Sequence, residues 1–166
     1  MSQKIKNSLN IFILFSFSMF LLVAPVSPTN FDLEFSTNVY PDLLTCLVFA
    51  ILINKPKLFP SYIILLIYIL ADIILMKPIG LYCALMFVAA ELIRKYNNII
   101  RKETFLIHWF IFFSSLIVVQ ILYLSSHKLF FMPSPQLILL TKQFVLTVFF
   151  YPLFDLSLKF FLRKEL

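Results

Sequence analysis

A single glycine, Gly80, occurs in the 166 residues of this chain. Glycine-rich phosphate loops of the GxGxxG or GxxxxGKS type cannot be written with it. Close helix packing through GxxxG is excluded as well. Cysteine is nearly as scarce. Cys46 and Cys83 both lie inside apolar runs and form no CxxC pair, and the only histidines are His108 and His127. No metal site, cofactor site or disulfide framework is expected from so few ligands. Both cysteines read as small apolar residues. No Ser–His–Asp or Cys–His constellation can be assembled, so the chain is expected not to be an enzyme. Charge is sparse too: 13% of residues are charged, about half the usual share.

Apolar residues fill that space. They make up 61% of the chain, with 21 Phe among them. One small soluble core cannot bury so much apolar area, so the excess must face lipid. The runs predict one integral membrane domain spanning 1–166, an all-α bundle of six transmembrane helices. Their approximate limits are 9–26, 41–54, 59–76, 79–93, 105–124 and 137–162. The first, basic at its start, reads as an uncleaved helix rather than a signal peptide. The second has a short apolar part and could be tilted or re-entrant. Pro41 fits its first helical position and Asp42 its first turn, and Lys55 and Lys57 could snorkel from its far end. Only Lys77 and Pro78 separate the third and fourth, which predicts a tight hairpin. Pro152 inside the sixth should kink it and free a carbonyl.

The basic residues divide sharply between the two sides of this map. Lys4, Lys6, Lys55, Lys57, Arg94, Lys95, Arg101, Lys102, Lys159, Arg163 and Lys164, eleven of the fourteen, fall on one side. Lys77, Lys128 and Lys142 are the remainder. The positive-inside rule then places the N-terminus, the loop near Arg94–Lys102 and the C-terminus of this multi-pass chain in the cytoplasm. A re-entrant second segment would abolish the bias, so charge favours six crossings. The net charge of +6 is explained by topology, and nucleic-acid binding is not expected.

Carboxylates at membrane depth should face protein, water or a partner. Asp42, Asp72 and Lys142 all fall toward the outer leaflet. They suggest a buried polar cluster, either a clasp that fixes helix order or a proton or cation site. Glu91 with Lys95, and Asp155 with Lys159, have the acid-before-base i,i+4 spacing of helical pairs. His108 and Trp109 read as interfacial anchors, and His127 as a residue of an outer loop. One outer loop, Ser27–Tyr40, holds Asp32 and Glu34. The other, Ser125–Gln136, gathers Leu129, Phe130, Phe131 and Met132, as an interfacial hairpin or a docking edge.

The stretch Tyr40–Pro41–Asp42–Leu43–Leu44, the proline Pro60, the pair Asp72 and Gly80–Leu81 eight residues apart, and Tyr151–Pro152 together resemble the rod shape-determining MreD family. The resemblance runs from about Tyr40 to the end. The chain departs from it around Asp72, where Tyr68, Ala71 and Leu75 stand near positions the family often gives to glycine. That departure argues against closely packed backbones there. The resemblance implies a non-enzymatic scaffold of the cell-wall elongation complex, maintaining rod shape. Its partners would be an MreC-like bitopic protein and, through it, MreB filaments, RodA and a transpeptidase. The motif positions Pro41, Asp42, Gly80 and Pro152 would carry family roles. The basic loop Arg94, Lys95, Arg101 and Lys102 would touch anionic lipid or a cytoplasmic partner. A homodimer stays open. The alternative is the substrate-binding subunit of a transporter of the energy-coupling-factor kind, which has a similar helix arrangement.

Overall fold

A computed structural model describes residues 14–21, 41–75, 77–130 and 136–163. These form six α-helices and no strand among the described residues. They are α1 (14–21), α2 (Leu43–Asn54), α3 (Ser61–Ile74), α4 (Leu81–Ile100), α5 (Phe105–Leu129) and α6 (Leu137–Arg163), with a 3-10 turn at Pro56–Leu58.

The shortest complete helix is the centre. Every residue of α2 from Leu44 to Ile53 is buried. A helix that is apolar all round belongs inside other helices, and α2 packs most extensively on α6 and next on α4. Asp42 starts it as an N-cap, its Oδ1 accepting the Thr45 amide at 3.0 Å. Pro41 therefore lies before the helix, not at its first turn, and Asp42 sits one step earlier than its first-turn assignment. The far end has carbonyls that no further turn can satisfy. Lys55 N donates to Ile51 O at 2.7 Å. Asn97 Nδ2, reaching across from α4, donates to Leu52 O and Ile53 O at 2.7 and 2.8 Å. Asn54 Nδ2 donates to Ala50 O at 2.8 Å. A buried amide costs about 1–3 kcal/mol when left unpaired, and here that of Asn97 closes a buried helix end.

The outer helices show two faces. In α5 the buried residues are His108, Phe112, Leu116, Val119, Tyr123 and His127, a stripe at helical spacing. Leu106, Phe110, Val118, Ile121 and Leu122 point away from the bundle and are exposed. Phe112 joins the layers: it stacks on Tyr151 of α6 at 4.0 Å and meets Phe49 of α2 edge-on at 5.4 Å. Two stretches, Phe105–Leu129 and Leu137–Phe160, are long and apolar enough to cross a membrane, and little of either is buried. The helices α2 and α3 are apolar but shorter, at about 18 and 21 Å for 1.5 Å per residue.

Several limits differ from the sequence reading. α4 runs on to Ile100, so Arg94 and Lys95 are helical and the basic loop shrinks to residues 101–104. α5 continues to Leu129, which absorbs His127 and the start of the expected loop, residues 125–129. The first segment is seen only at 14–21, where Ser18 is buried. The loop with Asp32 and Glu34 lies outside the described residues, as do Phe131 and Met132.

Pro152 sits inside α6 as expected. It cannot supply the N–H that would reach the carbonyl four residues back, which is that of Val148. Trp109 Nε1 of α5 donates to that carbonyl at 3.1 Å. The proline makes an acceptor in one helix, and the indole of the next uses it.

Candidate functional site

Two polar clusters close the two ends of the bundle. The first is built on the α3–α4 hairpin. Asp72 lies in the last turn of α3 and is completely buried. Its Oδ2 accepts the backbone amides of Gly80 and Cys83 at 3.0 and 3.1 Å. The carboxylate thus caps the N-terminus of α4, where the free amides and the dipole of the helix both favour an anion. Gly80 makes this possible: its φ of +86° is left-handed, a region that side-chain-bearing residues rarely adopt. The only glycine in the chain stands where the backbone requires one. The eight-residue spacing from Asp72 to Gly80 is the length of this cap. Oδ1 of Asp72 has no hydrogen-bond partner among the described residues.

Asp42 joins from α2. Its Oδ2 accepts from Tyr82 Oη at 3.2 Å, and its backbone N–H donates to Thr147 Oγ1 at 2.9 Å. Thr147 Oγ1 in turn donates to Gln143 O at 2.7 Å. Tyr68 Oη donates to Thr45 Oγ1 at 3.4 Å, and Tyr82 lies edge-on to both Tyr68 and Tyr123. The structure thus brings Asp42 and Asp72 to one end but leaves Lys142 out. Lys142 is exposed on α6 and forms no ion pair among the described residues. The cation in its place is Lys77 of the hairpin turn, whose Nζ sits 3.9 Å from the centre of the Tyr82 ring. Burial pushes the Lys77 ammonium below its ordinary value, and Asp42 and Asp72 pull it back up. A small cavity of about 30 Å³ lies between Asp42, Lys77, Tyr82, Gln120, Tyr123 and Gln143, room for a water or two.

The second cluster is at the opposite end. Asp155 of α6 is completely buried. Its Oδ1 accepts from Asn54 Nδ2 at 2.7 Å, and its Oδ2 lies 2.8 Å from Lys159 Nζ. The i,i+4 pair read from the sequence is present and carries two more groups. His108 is buried, 3.8 Å from Asp155 Oδ2 through Nδ1, and its Nε2 is 2.8 Å from Ile100 O. A carbonyl only accepts, so Nε2 bears the proton. His108 therefore fastens the α4–α5 turn instead of anchoring an interface. Trp109, its neighbour, is partly exposed but gives its N–H to α6. His127 is likewise buried, its ring tilted against that of Tyr123 at 4.4 Å and bonded to the Tyr123 carbonyl.

Glu91 pairs with Arg94, at 3.0 Å, not with Lys95. Both bases lie within a helical step of Glu91. Arg94 is selected because its guanidinium also reaches Ser61 Oγ and the Phe59 carbonyl, tying α4 to the start of α3. Lys95 is exposed and rests over Tyr96, while Arg101 and Lys102 lie exposed in the turn. Cys46 Sγ and Cys83 Sγ are both buried near backbone carbonyls, 3.3 Å from Thr147 O and 3.6 Å from Leu65 O. The second contact sets α4 directly against the backbone of α3. Closeness there, which the absent glycines argued against, is reached through Cys83.

No protein-family model matches the chain, and neither the curated proteins nor the solved structures provide a match.

Proposed function

We propose that the chain is a multi-pass inner-membrane scaffold of the MreD kind, with six crossings and both ends in the cytoplasm. In this reading it holds an MreC-like bitopic protein and through it joins MreB filaments to RodA and a transpeptidase. Cell shape, not turnover, is the output.

One observation carries the reading: the Asp72 carboxylate on the Gly80 and Cys83 amides. The residues behind the family resemblance meet as a helix cap. Their chemistry is consumed in fixing the order of α3 and α4, as a scaffold needs. The exposed apolar faces of α5 and α6 support the membrane part of the proposal. They leave broad surfaces for lipid and for the single helix of a partner. The size of the Asp42–Lys77 cavity, about 30 Å³, speaks against the transporter alternative, because small-molecule pockets run to roughly 300–1000 Å³.

The test has two parts. Reporter fusions at residues 56–58, 101–104 and the C-terminus should report cytoplasm, and fusions at 78–79 and at 136 the periplasm. The MreC-like protein of the same organism should co-purify with the wild-type chain, and depletion of the chain should round the cells. Rods that persist after depletion, with no co-purifying bitopic partner, would refute the scaffold while leaving the topology standing.

A further inference from the structure

The end of the bundle opposite Asp72 also carries an open cavity of about 530 Å³. It is lined by Lys55, Lys57 and Arg101 together with Asn98, Pro56 and Leu58. None of the three cations is in an ion pair among the described residues. Basic residues collect on this side for topological reasons, but topology asks only for charge and not for a shared cavity. Lys95 and Lys102 satisfy the same rule and do not line it.

Two helix ends also point here, since Lys55 and Arg101 are the C-caps of α2 and α4. Each end contributes about half a negative charge. Those of α2 are already taken by Asn97 and by the Lys55 amide. Three cations against roughly one negative charge leave the cavity with an excess of about two positive charges. We propose that this cavity is a binding site for a phosphate-bearing anion, held by Lys55, Lys57 and Arg101 with the Asn98 amide as a further donor. The apolar wall suits the glycerol end of a phospholipid, and a soluble phosphate shares the same recognition chemistry. Lys and Arg supply such contacts as a point charge and a fork of donors.

Two charge-matched variants decide it: Lys57→Gln with Arg101→Gln, and Lys95→Gln with Lys102→Gln. The full chain is placed in phosphatidylcholine nanodiscs doped with phosphatidylglycerol, and retained lipid is counted by native mass spectrometry. In discs without the anionic lipid, inorganic pyrophosphate is titrated and thermal unfolding is followed. The lipid arm rests on the membrane reading; the pyrophosphate arm does not. The wild type and the Lys95/Lys102 variant should retain phosphatidylglycerol. The Lys57/Arg101 variant should lose it roughly twenty-five-fold, at about fivefold per cation. A pyrophosphate response that only the Lys57/Arg101 pair removes, without lipid preference, assigns the same cavity to a soluble phosphate. Equal losses from both pairs, or no response to either probe, overturn the proposal.

Discussion

Asp72 and Asp155 are both completely buried carboxylates at the ends of one helical bundle, yet they are neutralised differently. Asp72 faces fixed backbone amides at the start of α4, with a lysine nearby in the turn. Asp155 faces a side-chain ammonium that is itself partly exposed. Backbone dipoles cannot rotate away, whereas Lys159 can leave. A cap of the first kind fixes helix order; a pair of the second kind depends on its partner staying in place.

Lys159→Met breaks the weaker arrangement outright. It leaves Asp155 buried with only Asn54 and His108 beside it, and should cost about 3 kcal/mol, read as thermal or denaturant unfolding in detergent. Adding Asp155→Asn should restore most of that loss, because the buried charge is gone. If the double variant is no better than the single one, Asp155 is not held by charge. At the other end, Asp72→Ala removes two charge-assisted hydrogen bonds and should cost about 2 kcal/mol. Asp72→Asn, which keeps an acceptor oxygen, should cost about half as much; a loss equal to that of alanine would mean that the cap is held by charge alone, and no loss that charge is irrelevant to it. Gly80→Ala meets no steric obstacle, with nothing within 4 Å of an added Cβ. Its cost is the left-handed backbone alone, about 1 kcal/mol. Trp109→Phe should cost about 1 kcal/mol by orphaning the Val148 carbonyl. In a Pro152→Ala background the same change should cost only a few tenths, since the substituted alanine supplies the missing N–H. A double-mutant cycle reads this directly, and an unchanged cost for Trp109→Phe would sever the link between indole and proline.

Which residues lie near the helix ends was legible in the sequence, and rotation about the helices was not. The polar residues at Asp42, Asp72 and Asp155 stood out because carboxylates are rare in apolar runs. Lys142 was read with Asp42 and Asp72 but faces outward on α6, where Thr147 takes the inner position. Lys77 went unread because a lysine in a two-residue turn looks like a loop residue. Its signal was proximity, five residues after Asp72. The choice of Arg94 over Lys95 by Glu91 depends on Ser61 and Phe59, and no local rule names partners from another helix. Asp42 could have been recognised as a cap, because an Asp immediately before the first residue of an apolar run is an N-terminal signature. Pro152 was the most legible feature: a mid-helix proline must orphan a carbonyl, and only the donor had to be found.

The central position of α2 sets an order of events during synthesis. Its ties to α6, from Asp42 and Cys46 to Thr147 and from Asn54 to Asp155, bridge 101 to 105 residues of chain. The ribosome therefore releases the innermost helix long before the helix that covers it. Until the last segment emerges, α2 has Asn54 unclasped and an uncovered flank, and a nascent chain cut short of α6 is left with a core exposed to whatever surrounds it.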